Sequence, residues 1–127
     1  MLGLEGELLW TVASGLGGGV ARRQSMCGAL TGAAAGLGLY YARKLDDPKN
    51  TSRSLRPKLQ ELLNGFAAGF GSTECREIIP VDFSGPDWYP QFQEQRVTER
   101  YCVRYVAHVA RTVAEWHEAG TLLPADR

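Results

Sequence analysis

The chain has 127 residues, the length of one ordinary domain, and its 14 basic and 14 acidic side chains give a formal net charge of zero. This balance argues against a dedicated nucleic-acid-binding protein, which would carry a basic excess. Hydrophobic residues make up 44% of the chain, enough for a core, so a disordered chain is excluded. Three cysteines are too few for a disulfide-stapled secreted domain. We expect residues 1–127 to form a single domain.

Residues 1–14 carry acidic side chains where a signal peptide needs basic ones, and we expect a cytoplasmic protein. The longest charge-free stretch, residues 24–42, is diluted by glycine, glutamine, serine and threonine. A membrane-spanning helix needs about 20 predominantly apolar residues. We therefore expect no membrane span.

The spacing of apolar residues predicts helices throughout the chain. The first predicted helix covers residues 4–14 and ends at the glycine cluster Gly15–Gly19. No N-cap precedes this helix, which is typical of the second half of a longer, truncated helix. Its apolar face consists of Leu4, Leu8, Leu9 and Val12.

Ser25 is the predicted N-cap of the second helix, which runs to about Leu45 and stops at the sequence Asp46-Asp47-Pro48. The third helix is predicted to start at one of two serines, with a proline in its first turn and a glycine at its end. These residues are Ser52 or Ser54, Pro57 and Gly71.

Ser72 is predicted to open a short fourth helix that ends before Pro80, and residues 82–92 form a loop with aromatic anchors. A last helix follows from about Glu94 to Glu118. Its predicted buried stripe is Cys102, Val106, Val109, Val113 and Trp116. The sequence thus predicts an all-α bundle of four main helices and one short helix.

The cysteines occupy two kinds of position. Cys27 and Cys75 fall in the first turns of predicted helices, where free backbone N–H groups and the helix dipole favour a thiolate and lower the thiol pKa. Cys27, which also has a flexible loop and two arginines nearby, is expected to be the most acidic thiol. Cys102 lies within the apolar stripe, and burial should raise its pKa.

Glycines recur every four residues in the second helix, at Gly28, Gly32 and Gly36. Each interior glycine costs about 1 kcal/mol of helix stability relative to alanine. Close packing of another helix would offset this cost at Gly32 and Gly36. Gly28, next to Cys27, is the better candidate for leaving room at a site, and the close approach of a bound group at Gly28 or Gly32 is a further hypothesis.

Residues 15–23 combine glycines with Arg22 and Arg23, a composition that can cradle an anion or form a flexible wall over Cys27. The segment matches neither the phosphate-binding P-loop nor the dinucleotide fingerprint. His108 and His117 share no helix face, and we expect both to be solvated or at the boundary between core and solvent.

These motifs together resemble a known family, the redox-active proteins named for their C-GCAxxG-C-C cysteine pattern. The resemblance covers roughly residues 10–110 and also extends to the corresponding domain of split-Soret cytochrome c. It rests on the segments 13–19 (ASGLGGG), 26–32 (MCGALTG), 36–41 (GLGLYY), 70–77 (FGSTECRE) and 101–106 (YCVRYV).

The resemblance implies a helical domain that is redox-active or binds an iron–sulfur cluster through cysteines. Cys27, Cys75 and Cys102 match three of the four cysteine positions of the family, whereas residues 1–14 lack the first. Iron–sulfur clusters normally take four protein ligands. A cluster here would need a fourth ligand from solvent, a substrate or a cysteine of another chain.

Three functional hypotheses remain open at this point. In the first, Cys27, Cys75 and Cys102 bind an iron–sulfur cluster or, less favoured, zinc, and transfer electrons to a redox partner protein or within a homo-oligomer. In the second, Cys27 is the nucleophile of a thiol–disulfide protein and Cys75 or Cys102 resolves the disulfide. In the third, the chain is a structural subunit of a larger complex, marked by the glycine-rich helix face and the aromatic segment 88–92.

Overall fold

The computed structural model describes residues 6–125, which are 66% helical and contain no β-strand. The all-α class is therefore confirmed. No helix within this range is both long and apolar enough to cross a membrane.

The described part of the chain forms six α-helices and one π-helical turn, Thr98–Cys102, that leads into the last helix. Helices α2, α3 and α6 pack against one another and form the body of the fold. The helices are α1 (Gly6–Ala13), α2 (Gly28–Leu45), α3 (Thr51–Phe70), α4 (Cys75–Ile78), α5 (Trp88–Glu94) and α6 (Val103–Glu118).

The core consists of two clusters of buried side chains. The first lies at the end of the bundle that carries the cysteines and contains Leu30, Leu62, Phe66, Cys75, Ile78, Ile79, Val81, Val97, Tyr105 and Val109. The second lies around the C-terminal half of α2 and contains Leu37, Tyr40, Tyr41, Leu55 and Leu122. The Tyr41 hydroxyl donates a hydrogen bond to the carbonyl oxygen of Leu122, which ties the tail after α6 to α2.

Helix α1 buries no residue. Leu8, Leu9 and Val12, three members of the predicted apolar face, are 54%, 48% and 66% exposed, and Trp10 is 81% exposed. Leu4, the fourth member, lies outside the described residues. The predicted helix is confirmed, but its apolar face does not contribute to the core.

The start of α2 differs from the prediction. The helix begins at Gly28, with Cys27 rather than Ser25 at the N-cap position. Ser25 instead lies in an extended segment, where its carbonyl oxygen accepts a hydrogen bond from the backbone of Cys75. The helix ends at Leu45, as predicted, because Asp46 adopts a left-handed conformation with φ of 51°.

The start of α3 also differs. The helix begins at Thr51, so Ser52 and Ser54 lie inside it and Pro57 falls in the second turn rather than the first. Pro57 is exposed, so the backbone carbonyl that lacks an N–H partner can be hydrated. The predicted end is confirmed, since Gly71 has a φ of 89° in the left-handed region that glycine favours.

The segment between α3 and the last helix contains more turns than predicted. Helix α4 starts at Cys75, after an ST turn in which the Ser72 hydroxyl accepts the Glu74 N–H at 2.9 Å. Residues 82–92 include the first residues of α5, so the predicted loop is only partly a loop. Its aromatic anchoring holds, since the Phe83 ring lies 5.0 Å from Trp88 and 5.8 Å from Phe92 between ring centroids.

The predicted stripe of the last helix is wrong at one position. Val106 is 56% exposed, whereas Tyr105 is 5% exposed and occupies the core in its place. Val109 is buried, as predicted, and Cys102, Val113 and Trp116 lie at the edges of the two clusters. The π-helical turn before α6 is wider than an α-turn and changes which residues face the core.

Candidate cysteine site

A short antiparallel bridge joins the segment before α2 to the segment before α4. Met26 pairs with Glu74 in this bridge. The backbone N–H of Cys27 donates to the carbonyl oxygen of Thr73 at 2.9 Å, and that of Cys75 donates to Ser25 at 2.7 Å. Two hydrogen bonds therefore fix the relative positions of two cysteines that are distant in the sequence.

Cys27 and Cys75 occupy diagonal positions on one face of this bridge, because Cys27 lies opposite Thr73 and Cys75 lies opposite Ser25. In regular antiparallel pairing such diagonal neighbours are about 7–8 Å apart. A disulfide needs Cβ atoms about 3.8 Å apart. Both thiols are free, in agreement with this spacing.

Cys102 reaches the same region from the other side of the fold. It is the last residue of the π-helical turn and is partly buried. Both Cys102 and Cys27 pack against the core cluster that contains Cys75. π-Helical turns are frequent at functional sites. We call the group formed by Cys27, Cys75 and Cys102 the cysteine site.

Electrostatic coupling links the three thiols. The pKa of Cys75 is raised to about 11, mainly by burial, and the charges of Cys27 and Cys102 contribute to this rise. Burial is also the largest cause of the raised pKa of Cys102, followed by the charge of Cys27. Because Coulomb interactions fall with distance, this coupling indicates that the thiols lie near one another.

The expected lowering of the Cys27 pKa is not found. Burial raises its pKa, and the backbone amides of Ala29 and Leu30 at the start of α2 lower it by less. The helix-start effect is present, but desolvation outweighs it. Cys75 is the first residue of the four-residue helix α4, where burial dominates in the same way. The raised pKa of Cys102 agrees with the prediction.

Gln24 was not singled out from the sequence, yet it is the buried polar residue beside the cysteine site. Its side-chain amide donates to the carbonyl oxygen of Val81 at 2.8 Å and accepts the Phe83 N–H at 2.9 Å. It also interacts with Cys75 and lowers the pKa of that thiol against the effect of burial. The only sequence signal is a glutamine next to the predicted cap Ser25.

Tyr105 is a second residue that the sequence analysis missed. Its hydroxyl donates to the backbone carbonyl of Ile78 in α4, and its ring contacts Phe70 and Phe66 at centroid distances of 4.8 and 5.6 Å. Burial raises its pKa, and charges on Cys102 and Cys27 act in the same direction. Tyr105 therefore joins α6 to α4 beside the thiols. An amphipathic aromatic residue three positions after Cys102 was the available signal.

The glycine face of α2 is more open than predicted. A Cβ atom built on Gly32 or Gly36 would meet nothing within 4 Å, so the expected close helix packing at these positions is wrong. Gly32 is exposed, and no bound group is needed to explain it. At Gly28 a Cβ would lie 3.5 Å from the carbonyl oxygen of Leu16, an ordinary contact with the glycine-rich loop.

That loop covers the start of α2 and has an unusual backbone. Gly18 to Arg22 are five consecutive residues with positive φ, and the backbone N–H groups from Val20 to Ser25 donate hydrogen bonds to carbonyl oxygens within residues 15–20. A Cβ on Gly19 would lie 2.6 Å from the Cα of Gln24, so glycine is required there. The contact with Gly28 agrees with the predicted wall near Cys27. The loop is tightly wound, however, and not flexible as predicted.

The two histidines contact aromatic side chains. His108 is partly buried and packs edge-on against Phe66 and Phe70, with ring centroids 6.0 and 5.1 Å away. His117 is exposed, and its Nδ1 lies 3.4 Å from the Tyr40 hydroxyl. His108 thus lies at the boundary of the core and His117 in solvent, the two kinds of position expected for them.

Within residues 6–125, no group of three or more His, Cys, Asp or Glu side chains is close enough to hold one metal ion. The cysteine site is therefore not arranged as a single-ion site of the zinc type, whose thiolates would sit about 3.5–4 Å apart. Its donors are three soft thiols, the ligand type that iron–sulfur clusters use.

The fold and the site define a class: an all-α protein in which cysteines from three separate segments meet at one end of the bundle. The family described as "Putative redox-active protein (C_GCAxxG_C_C)" matches residues 1–116. The chain belongs to this family. Searches among curated proteins and among solved structures found no match.

Proposed function

We propose that this protein is an electron-transfer protein that binds an iron–sulfur cluster through Cys27, Cys75 and Cys102, with one further ligand from outside the chain. The observation that carries the proposal is the Met26–Glu74 bridge, which holds Cys27 and Cys75 on one face. Membership of a family described as redox-active supports the same conclusion.

The backbone positions of Cys27 and Cys75 suit a cluster. Diagonal neighbours in regular antiparallel pairing have backbones about 7–8 Å apart, and the sulfurs around an iron–sulfur cluster lie roughly 6–7 Å apart, so both side chains can reach one cluster. A bound cluster would supply one-electron transfer. The chain would hold it between α2, α4 and the π-helical turn, with partial burial at Cys27 and Cys102.

The surroundings of the thiols also favour a bound cation-containing group. Three thiolates in a buried site repel one another and are desolvated, which makes the metal-free charged form costly. A metal ion stabilises the thiolate form of a cysteine that coordinates it, so the coordinating thiol loses its proton. The same burial disfavours the thiol–disulfide hypothesis, because a nucleophilic cysteine needs an accessible thiolate near neutral pH.

A second protein chain is the source that we propose for the fourth cluster ligand. Cys102 lies at the surface end of the site, and its neighbours Val103 and Val106 are 53% and 56% exposed. An apolar surface of this kind suits contact with a second chain, either another copy or a redox partner protein. Such a contact would bring the missing ligand to the side of the site where Cys102 lies.

The visible spectrum of protein purified without oxygen tests this function. A cluster should give broad absorbance between about 320 and 450 nm, from charge transfer between thiolate and iron. Cys27→Ser, Cys75→Ser and Cys102→Ser should each bleach it, whereas Ala114→Ser, a control at an exposed position on α6, should not. A colourless protein with rapidly reacting thiols would support the thiol–disulfide hypothesis instead. A colourless protein with unreactive thiols would support a structural role.

A further inference from the structure

A cavity lies beside Gln24, between the end of the glycine-rich loop and the segment after α4. It has a volume of about 710 Å³ and lies between the loop before α2 and residues 79–84. This volume is within the range of pockets that bind small molecules, about 300–1,000 Å³. Three of its lining residues are arginines, Arg22, Arg23 and Arg76.

Two of the arginines are held in place. The Arg22 guanidinium stacks over the Trp88 ring, 4.9 Å from its centroid. Arg76 donates from Nε to the carbonyl oxygen of Gln24 at 3.1 Å and from Nη2 to that of Arg23 at 3.3 Å. These contacts use only part of the five N–H donors of each guanidinium and leave the others for a ligand.

The positive charge of the cavity is balanced only in part, since three arginines face one carboxylate. None of the three arginines forms an ion pair within residues 6–125. The one carboxylate in the cavity wall is Asp82, and its Oδ1 accepts hydrogen bonds from the N–H and hydroxyl of Ser84 at 2.9 and 2.6 Å. Arg76 helps to lower the Asp82 pKa but does not pair with it directly.

The wall that carries Arg22 is a strained backbone segment. Val20, Ala21 and Arg22 have φ angles of 65°, 51° and 59°, a left-handed conformation that is unfavourable for residues with a Cβ atom. Such strain persists where the surrounding structure fixes it and often accompanies a binding function. Here it places Arg22 and Arg23 on the same cavity as Arg76, which comes from α4.

We propose that this cavity binds a phosphate group, either free phosphate or the phosphate of a small organic molecule. Guanidinium groups form paired hydrogen bonds with phosphate oxygens, and three of them around one cavity suit a dianion better than a single carboxylate. The aromatic side chain of Phe83 in the same wall can contact an organic substituent. The proposal does not depend on the occupancy of the cysteine site.

Calorimetric titration of the full chain with inorganic phosphate, and separately with phenyl phosphate, tests the proposal. We expect saturable binding of one equivalent, with tighter binding of phenyl phosphate if the natural ligand is organic and of phosphate if it is inorganic. The Arg23 side chain makes no other contact within the described residues, so Arg23→Gln should weaken binding about tenfold without unfolding the protein.

Two further variants make the result specific. Arg76→Lys keeps the charge but loses the fork geometry, and it should also weaken binding about tenfold. Arg53→Gln removes one charge from an exposed position on α3 outside the cavity and should change binding less than about twofold. Absence of saturable binding, or equal weakening by Arg23→Gln and Arg53→Gln in proteins with unchanged thermal midpoints, would overturn the proposal.

Discussion

The backbone N–H of Cys75 is bonded to Ser25 and that of Cys27 to Thr73, so the two cysteines face each other diagonally across a two-strand contact. Each then begins or precedes a helix, α4 for Cys75 and α2 for Cys27. Diagonal neighbours in regular antiparallel pairing have backbones about 7–8 Å apart, more than a disulfide normally spans, and both thiols are free.

The buried thiol of Cys75 makes stability depend on pH. Its pKa is about 11 in the folded protein and near the ordinary 9.0 in the unfolded chain. The folded state thus keeps a proton that the unfolded chain loses, and the free energy of unfolding should fall as pH rises from about 9 to 11, by up to about 2–3 kcal/mol. Below pH 9 this group should have no effect.

Urea unfolding of the metal-free protein between pH 7 and 10 measures this dependence. The variant Cys75→Ala lacks the group and should lose stability less steeply with pH than the wild type, whatever its stability at pH 7. If both proteins show the same slope, Cys75 does not titrate as its burial requires.

Thiol reactivity should follow exposure and not the helix starts. Cys27 and Cys102 are partly exposed, whereas Cys75 is 9% exposed and has the highest pKa. Iodoacetamide labelling from pH 7 to 10, followed residue by residue by mass spectrometry, should modify Cys75 last. In urea all three should react alike. Fast labelling of Cys75 under native conditions would show that its thiol is accessible and not buried.

The glycines of the loop and of α2 should respond oppositely to alanine. Gly32→Ala places a methyl group in open space on a helix and should stabilise the protein by about 0.5–1 kcal/mol. Gly19→Ala creates contacts of 2.6 Å with the backbone of Gln24 and Ser25 at a φ of +70° and should destabilise it by more than about 2 kcal/mol. Thermal unfolding of both variants checks this, and a destabilised Gly32→Ala would restore the packing hypothesis.

Gln24 should matter for stability far more than an exposed glutamine. Gln24→Ala removes the partners of the Val81 carbonyl and the Phe83 N–H in a buried region, at a cost of roughly 2–4 kcal/mol. Gln60→Ala, at an exposed position on α3, should change stability by less than about 0.5 kcal/mol. Equal effects in a chemical denaturation series would contradict the role assigned to Gln24.

Local sequence patterns were sufficient for the helix ends. Helix α2 ends at Leu45, as predicted, and the next residue, Asp46, is left-handed. Helix α3 ends before Gly71, as predicted, because glycine readily adopts the left-handed conformation found there. The helix starts were less predictable. Ser25 looks like a cap, yet a long-range pairing with Cys75 draws it into an extended segment, and no local pattern reports such a pairing.

The sequence was sufficient to find the candidate cysteines but not to predict the pKa values of their thiols. The helix-start argument for Cys27 considers only its own backbone, whereas the pKa depends on how deeply the folded chain covers the sulfur. The prediction placed Val106 in the core, but Tyr105 is buried there and Val106 is exposed. The π-helical turn at Thr98–Cys102 explains this difference, because it interrupts the regular helical period.

The iron and acid-labile sulfide content of protein reconstituted without oxygen tests the central claim most directly. The account predicts that both elements bind in a fixed ratio to the wild type and to Ala114→Ser. Each of Cys27→Ser, Cys75→Ser and Cys102→Ser, shown to be folded by circular dichroism, should lose most of both. Wild-type protein that retains neither element, or folded cysteine variants that retain as much as the wild type, would contradict a cluster held by these three thiols.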